Sequence, residues 1–113
     1  MTRAYVLEWL LAFVLTQAVE VPLYAAFAIP GRHRLAKAFV PSALTHPVVW
    51  FVLAPAWPGG WGTMVAVSEV FAVGAEALVL RALGARRPLA WSVAANGASF
   101  AVGLLLYRLR GVG

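Results

Sequence analysis

Cysteine and aspartate are both missing from this 113-residue chain, and charged residues make up only 12% of it. Without cysteine there is no disulfide, no thiolate metal ligand and no cysteine nucleophile, and the redox compartment stays open. Also missing are a glycine-rich phosphate loop, a Gly-x-Ser-x-Gly nucleophile elbow and a His-Glu-x-x-His metal motif, which removes the common chemistries of soluble enzymes. Acidic charge is confined to four glutamates, Glu8, Glu20, Glu69 and Glu76, and none of them lies in a connecting segment.

What is there is apolar. Hydrophobic residues make up 63% of the chain, and the mean hydropathy of +0.85 is that of a membrane sequence rather than a soluble domain. Four spans of about 20 residues each consume nearly the whole length, so residues 1–113 read as a single transmembrane domain. Any chemistry must then lie inside the bilayer or at its edges. A pI near 10.8 could point to nucleic acid, but in so apolar a chain the basic residues are more simply topology signals that meet lipid headgroups. Ala26-Phe27-Ala28 looks like a signal-peptidase tripeptide. The apolar stretch before it is too long for a signal peptide, however, and it contains Glu8 and Glu20, so it reads as a retained helix.

The first apolar run is Tyr5 to Ile29, closed by Pro30-Gly31 and a basic stretch from Arg32 to Lys37. The second, Ala38 to Trp57, carries Pro41, Pro47 and Pro55 and is expected to be kinked or broken. After Pro58-Gly59-Gly60 comes the third, Gly62 to Leu83, and Pro88 opens a fourth that ends near Tyr107. Runs of this length without period-2 alternation favour helices over barrel strands. The expected fold is therefore all-α: an integral membrane bundle of four transmembrane helices with short loops.

Six of the nine basic residues (Arg32, Arg34, Lys37, Arg81, Arg86, Arg87) fall at the first and third connections. By the positive-inside tendency those connections are cytoplasmic and both termini are periplasmic, in a bacterial inner membrane, although Arg108 and Arg110 pull the other way. Tyr5, Trp9, Trp57, Trp61 and Tyr107 then form an outer aromatic belt.

A carboxylate near the bilayer midplane costs about 2.5–3.5 kcal/mol on the lenient insertion scale, so it must be neutralised, paired or turned to a polar interior. Glu8 escapes this, because it lies one to two turns from its helix start. At about 1.5 Å per residue, Glu20, His46, Glu76 and Asn96 fall within roughly 5 Å of the midplane on the same side, one from each span. Glu69 precedes Glu76 by seven residues and shares its helix face, as a second station along one axis. Thr16 and Gln17 before Glu20, Thr45 beside His46, and Ser99 after Asn96 extend the polar set at helical spacing. Pro22 and Pro47 free backbone carbonyls beside Glu20 and His46, and such irregularity at membrane depth belongs where protein or a wet cavity covers it. Ser99 and Gly103 give the fourth span a small-residue face for close packing. Each polar group also has a plainer use. Asn96, Ser99, Thr16 and Gln17 can be interhelical glue, His46 can cap a broken helix, and the glutamates can be buried hydrogen-bonding groups.

Together, Thr16-Gln17-Ala18-Val19-Glu20-Val21-Pro22, Thr45-His46-Pro47, Glu69 with Glu76, and Asn96 to Ser99 with Gly103 resemble small bacterial four-helix membrane proteins of uncharacterised activity. The resemblance spans the whole chain and implies the same polar pattern on a four-helix scaffold, without an activity. From the residues themselves, the expected function is a small oligomeric transporter or channel for a metal ion or proton. Glu20, His46, Glu69 and Glu76 would be the ion or divalent-metal ligands, and Thr16, Gln17, Thr45, Asn96 and Ser99 would be polar support. The oligomer is expected because four helices of small residues leave little lumen. The alternatives are a metal-dependent intramembrane enzyme for a lipid-soluble substrate and an accessory subunit of a larger membrane complex. The partners expected are the lipid bilayer and further copies of the chain, and no nucleic acid.

Overall fold

The computed structural model describes residues 2–112 and is all-helical, with four helices long and apolar enough to cross a membrane. Helix α1 covers Arg3–Ala28, α2 Arg34–Ala56, α3 Trp61–Ala82, and α4 Pro88–Val112. Thr2 starts the first of them, its hydroxyl accepting the Tyr5 backbone N–H at 3.1 Å. The second helix begins at Arg34, four residues before the apolar run, so Arg34 and Lys37 lie within its first turns.

The second span, expected to be kinked or broken at its prolines, is one unbroken helix. Pro22 in α1 and Pro47 in α2 each remove a backbone donor, and shortly after each the helix widens into a π turn, Tyr24–Ala28 and Val49–Leu53 respectively. These turns use the longer i→i+5 spacing, as in the 2.8 Å bond from Ile29 N–H to Tyr24 C=O. Both helices stay continuous, with their side-chain phase reset beyond the turn.

α1 packs on α2 and α4, and α3 packs on the same two neighbours, so α1 and α3 occupy one diagonal of the bundle and run in the same direction. The bundle is inverted relative to a soluble one. Leu7, Leu11, Val14, Phe27, Val70 and Leu78 point outward, while Gln17, Glu20, Ser42, Thr45, Ser68, Glu76, Ser92 and Asn96 are buried. That inversion is what lipid demands, because apolar side chains lose nothing by facing acyl tails and polar ones must find partners inside. Glu8 is exposed near the start of α1.

α3 ends in a Schellman motif, with Ala85 N–H bonded to Leu80 C=O at 2.9 Å and Gly84 N–H to Arg81 C=O at 3.1 Å. Gly84 adopts φ +81°, and a Cβ there would meet nothing within 4 Å. Gly84→Ala should therefore cost only the left-handed backbone penalty of about 1 kcal/mol. A thermal melt in detergent that moves no further than that of an exposed mid-helix control would contradict this assignment.

Candidate functional site

Residues from all four helices line an open cavity of about 1080 Å³. Thr2, Trp61 and Tyr107 line it near the end that carries both chain termini and the second connection, and Glu20 and Glu76 line its deepest level. From Trp61 to Glu76 is 15 residues along α3, about 22 Å at 1.5 Å each. Past the glutamates, toward the basic connections, Tyr24, Ala25, Ala28, Ile29, Ala38, Leu80 and Ala95 pack into one buried cluster. None of these residues lines the cavity. Tyr24 lies one turn beyond Glu20 and Leu80 one turn beyond Glu76, so the cavity is open at one end and sealed at the other. Arg86 N–H bonds Ala28 C=O at 2.8 Å and ties the third connection across the sealed end.

At the floor the two carboxyls come from diagonally opposed helices and are fully buried, at 0% and 2% exposure. Hydroxyls join them. Ser42 on α2 bonds Glu20 Oε1 and lies 3.4 Å from Glu76 Oε1. Tyr24 donates to Glu76 Oε1 at 3.0 Å, Thr45 to Glu76 Oε2 at 2.9 Å, and Ser99 on α4 to Glu20 Oε2 at 2.7 Å. No cationic side chain is among these partners. Two negative charges a few ångströms apart would repel strongly in so dry a place. Ser42 has one proton to donate, so its contacts with both carboxyls can both be hydrogen bonds only if one carboxyl carries a proton and donates it to Ser42. Among the described residues, no lysine or arginine stands beside the pair to balance it.

The surrounding hydroxyls suit either a charged or a protonated carboxyl. Thr45 Oγ1 also lies 3.2 Å from Pro41 C=O, and Ser99 Oγ lies 3.2 Å from Asn96 C=O. Each hydroxyl can turn its single proton to a carboxylate, or to its own helix while accepting from a protonated carboxyl. Thr45 and Ser99 can thus serve a carboxylate or a protonated carboxyl without moving their oxygens.

The remaining expected residues divide. Glu69, about 10 Å above Glu76 along α3, lines the cavity, as do Thr16, His46 and Asn96. His46 does not bond the carboxyls. Its Nε2 lies 3.4 Å from Thr16 Oγ1, its ring packs by Phe13 and Trp50, and its Nδ1 is buried without a partner. Gln17 reaches away from the site and donates to Phe39 C=O at 3.0 Å, joining α1 to α2. Asn96 folds back onto Ser92, at 2.9 Å to its carbonyl. Among the described residues no group of three or more histidine or acidic side chains is placed to hold a metal ion. The structure brings Glu20 and Glu76 together at the floor, places His46 against Thr16 and the aromatic wall, and sets Glu69 two turns from Glu76.

Two residues central to the floor were not anticipated from sequence. Tyr24 follows Glu20 by four residues and Ser42 precedes Thr45 by three, so each lies on the helix face of a residue that was expected at the site. Little lumen was expected within one chain, and the structure places an open cavity between its four helices.

Fold and site together define a multi-pass, all-α membrane bundle with a one-ended acidic cavity. Comparison with protein-family models, curated proteins and solved structures finds no match for the chain. The resemblance to small bacterial four-helix membrane proteins therefore rests on the polar pattern alone.

Proposed function

We propose that this protein is a small membrane transporter that binds a cation between Glu20 and Glu76 and exchanges it for a proton. One observation carries the reading: a cavity open at one end terminates in two buried carboxyls linked through a single hydroxyl, a pair that needs a positive charge to be complete. The charge of the walls supports it. Three glutamates line the cavity and, among the described residues, no lysine or arginine does, although the chain has a net charge of +5. Glu69 is then a station on the way to the floor. A sealed far end suits a carrier that alternates between two faces rather than an open channel. The metal-dependent enzyme reading has no ligand set to support it, and a lumen within one chain removes the reason that called for an oligomer.

Proteoliposomes loaded with a pH-sensitive dye test the proposal. A gradient of methylammonium or thallium(I) should drive saturable proton counterflow through the wild type. Counterflow no faster than in protein-free liposomes for both ions and for tetraphenylphosphonium would contradict it.

In the proposed orientation the termini and the cavity mouth face the periplasm of the inner membrane. The cysteine-free chain makes this easy to test. A membrane-impermeant maleimide applied to intact cells should label Gly60→Cys and spare Ala36→Cys. The reverse pattern would invert the topology and leave the site unchanged.

A further inference from the structure

The volume of the cavity is out of proportion to a metal ion or a proton. About 1080 Å³ lies just above the range of roughly 300–1,000 Å³ typical of pockets for whole organic ligands. Its walls are also wrong for a small hydrated ion. Above the floor they are built largely from apolar and aromatic side chains, with Val49 and Trp50 on α2, Val65 on α3, and Phe100 and Leu104 on α4. A hydrated alkali or alkaline-earth ion needs several oxygen ligands at each stage of its path, and between the mouth and Glu69 this lining offers few.

The aromatic rings are ordered into a wall. Tyr5 and Trp50 pack with centroids 5.3 Å apart, and the His46 ring lies 6.1 Å from Trp50 at 22°. The Tyr5 hydroxyl donates to the Trp50 carbonyl, which fixes that pair against the π turn of α2. Tyr5, His46 and Trp50 all line the cavity, with Phe100 on α4 also among its lining. His46 Nδ1, buried without a partner, leaves a polar group in this wall unsatisfied. Aromatic faces attract cations, and more strongly when water is excluded. Three glutamates and, among the described residues, no lysine or arginine set the sign of the charge the cavity accepts.

We infer that the cargo of this site is an organic cation with an apolar or aromatic body, its charge held at Glu20 and Glu76 and its body lying between the Tyr5–Trp50 wall and Phe100. This inference rests on the proposed cation exchange and specifies its substrate class. A neutral amphiphile would leave the carboxyl pair incomplete, and an anion would meet three glutamates.

The test uses the full chain in lipid nanodiscs, with tetraphenylphosphonium as a bulky cation and methylammonium as a small one. Binding is followed by quenching of tryptophan fluorescence, to which Trp50 and Trp61 in the lining report, and by direct equilibrium dialysis. Tetraphenylphosphonium should bind saturably at least about tenfold more tightly than methylammonium. Glu76→Gln should weaken it strongly, Trp50→Ala and Phe100→Ala by about three- to tenfold each, and Trp50→Phe much less, because a ring remains. Melting and gel filtration of every variant separate lost binding from lost fold, and Phe100→Ala on the opposite wall serves if Trp50→Ala does not fold. If methylammonium or thallium(I) drives glutamate-dependent proton counterflow while tetraphenylphosphonium fails to bind, the organic-cation inference falls and the cation exchanger stands. Tetraphenylphosphonium binding that Glu76→Gln and Trp50→Ala leave unchanged would also overturn it, as adsorption to the lipid or outer surface. Failure of all three cations to bind or exchange would remove both.

Discussion

Glu76→Gln is expected to lower cation-driven proton counterflow by about 100-fold, the equivalent of losing close to 3 kcal/mol of charge-assisted interaction in a desolvated site. Glutamine keeps the shape of the side chain but can neither take up a proton nor balance a cation. The fold should survive. The amide oxygen still accepts from Tyr24, and the new amide donor finds Thr45 able to turn its own proton to Pro41 C=O, 3.2 Å away. The same reasoning holds for Glu20→Gln, where Ser99 can turn to Asn96 C=O at 3.2 Å. Because the two carboxyls act as one unit, the double substitution should add little to either single one. Wild-type flux in both single variants, with unchanged melting and gel-filtration profiles, would reduce the pair to structural hydrogen-bonding groups.

Tyr24→Ala should have the second large effect, of a different kind. Tyr24 is completely buried beneath the floor and packs in the cluster that closes the bundle toward the basic connections. Removing its ring leaves a void of roughly 100 Å³, which at about 24 cal/mol per Å³ amounts to some 2.5 kcal/mol. It also opens a route past Glu76. The variant should melt earlier and let ions pass through proteoliposomes without obligatory exchange. Tyr24→Phe keeps the ring and loses only the bond to Glu76, so it should stay tight at a cost near 1 kcal/mol. A tight, fully stable Tyr24→Ala would mean that the seal lies elsewhere.

The four spans and the two central carboxyls were legible in the sequence for one physical reason. Glutamate in an apolar run is costly, so its position is constrained by depth, and Glu20 and Glu76 could be set at one level by counting residues from the span ends. Depth says little about direction around the helix, and there the reading was incomplete. Gln17 lies within one turn of Glu20 yet crosses to the Phe39 carbonyl, and Asn96 shares the level of the carboxyls yet bonds back to Ser92. His46 sits beside Thr45 in sequence but points to a different neighbourhood, with Thr45 on Glu76 and His46 against Thr16 and Trp50. Such divisions depend on direction around the helix axis, which a count of residues from the span end does not fix. Ser42 and Tyr24 went unnoticed for a related reason. Serine and tyrosine are cheap enough in a membrane helix to give no warning, and only a partner on a neighbouring helix gives them their place.

The lumen shows the same limit. Small residues suggested a closely packed bundle, but the outward-facing side chains, among them Leu7, Leu11, Val70 and Leu78, are the large ones, and they occupy lipid rather than the interior. Space inside a bundle depends on how the helices pack, which residue size alone does not fix.

Proton release on cation binding tests the shared site most directly. In weakly buffered nanodisc solution with a pH indicator, saturating the wild-type protein with tetraphenylphosphonium or thallium(I) should release about one proton per chain, since the positive charge that completes the Glu20–Glu76 pair is exchanged. Cation affinity should fall as the solution is made more acidic, because protons compete for the same pair, and release should vanish in the double variant Glu20→Gln, Glu76→Gln. Saturable binding with no proton released, or release undiminished in the double variant, would contradict the account.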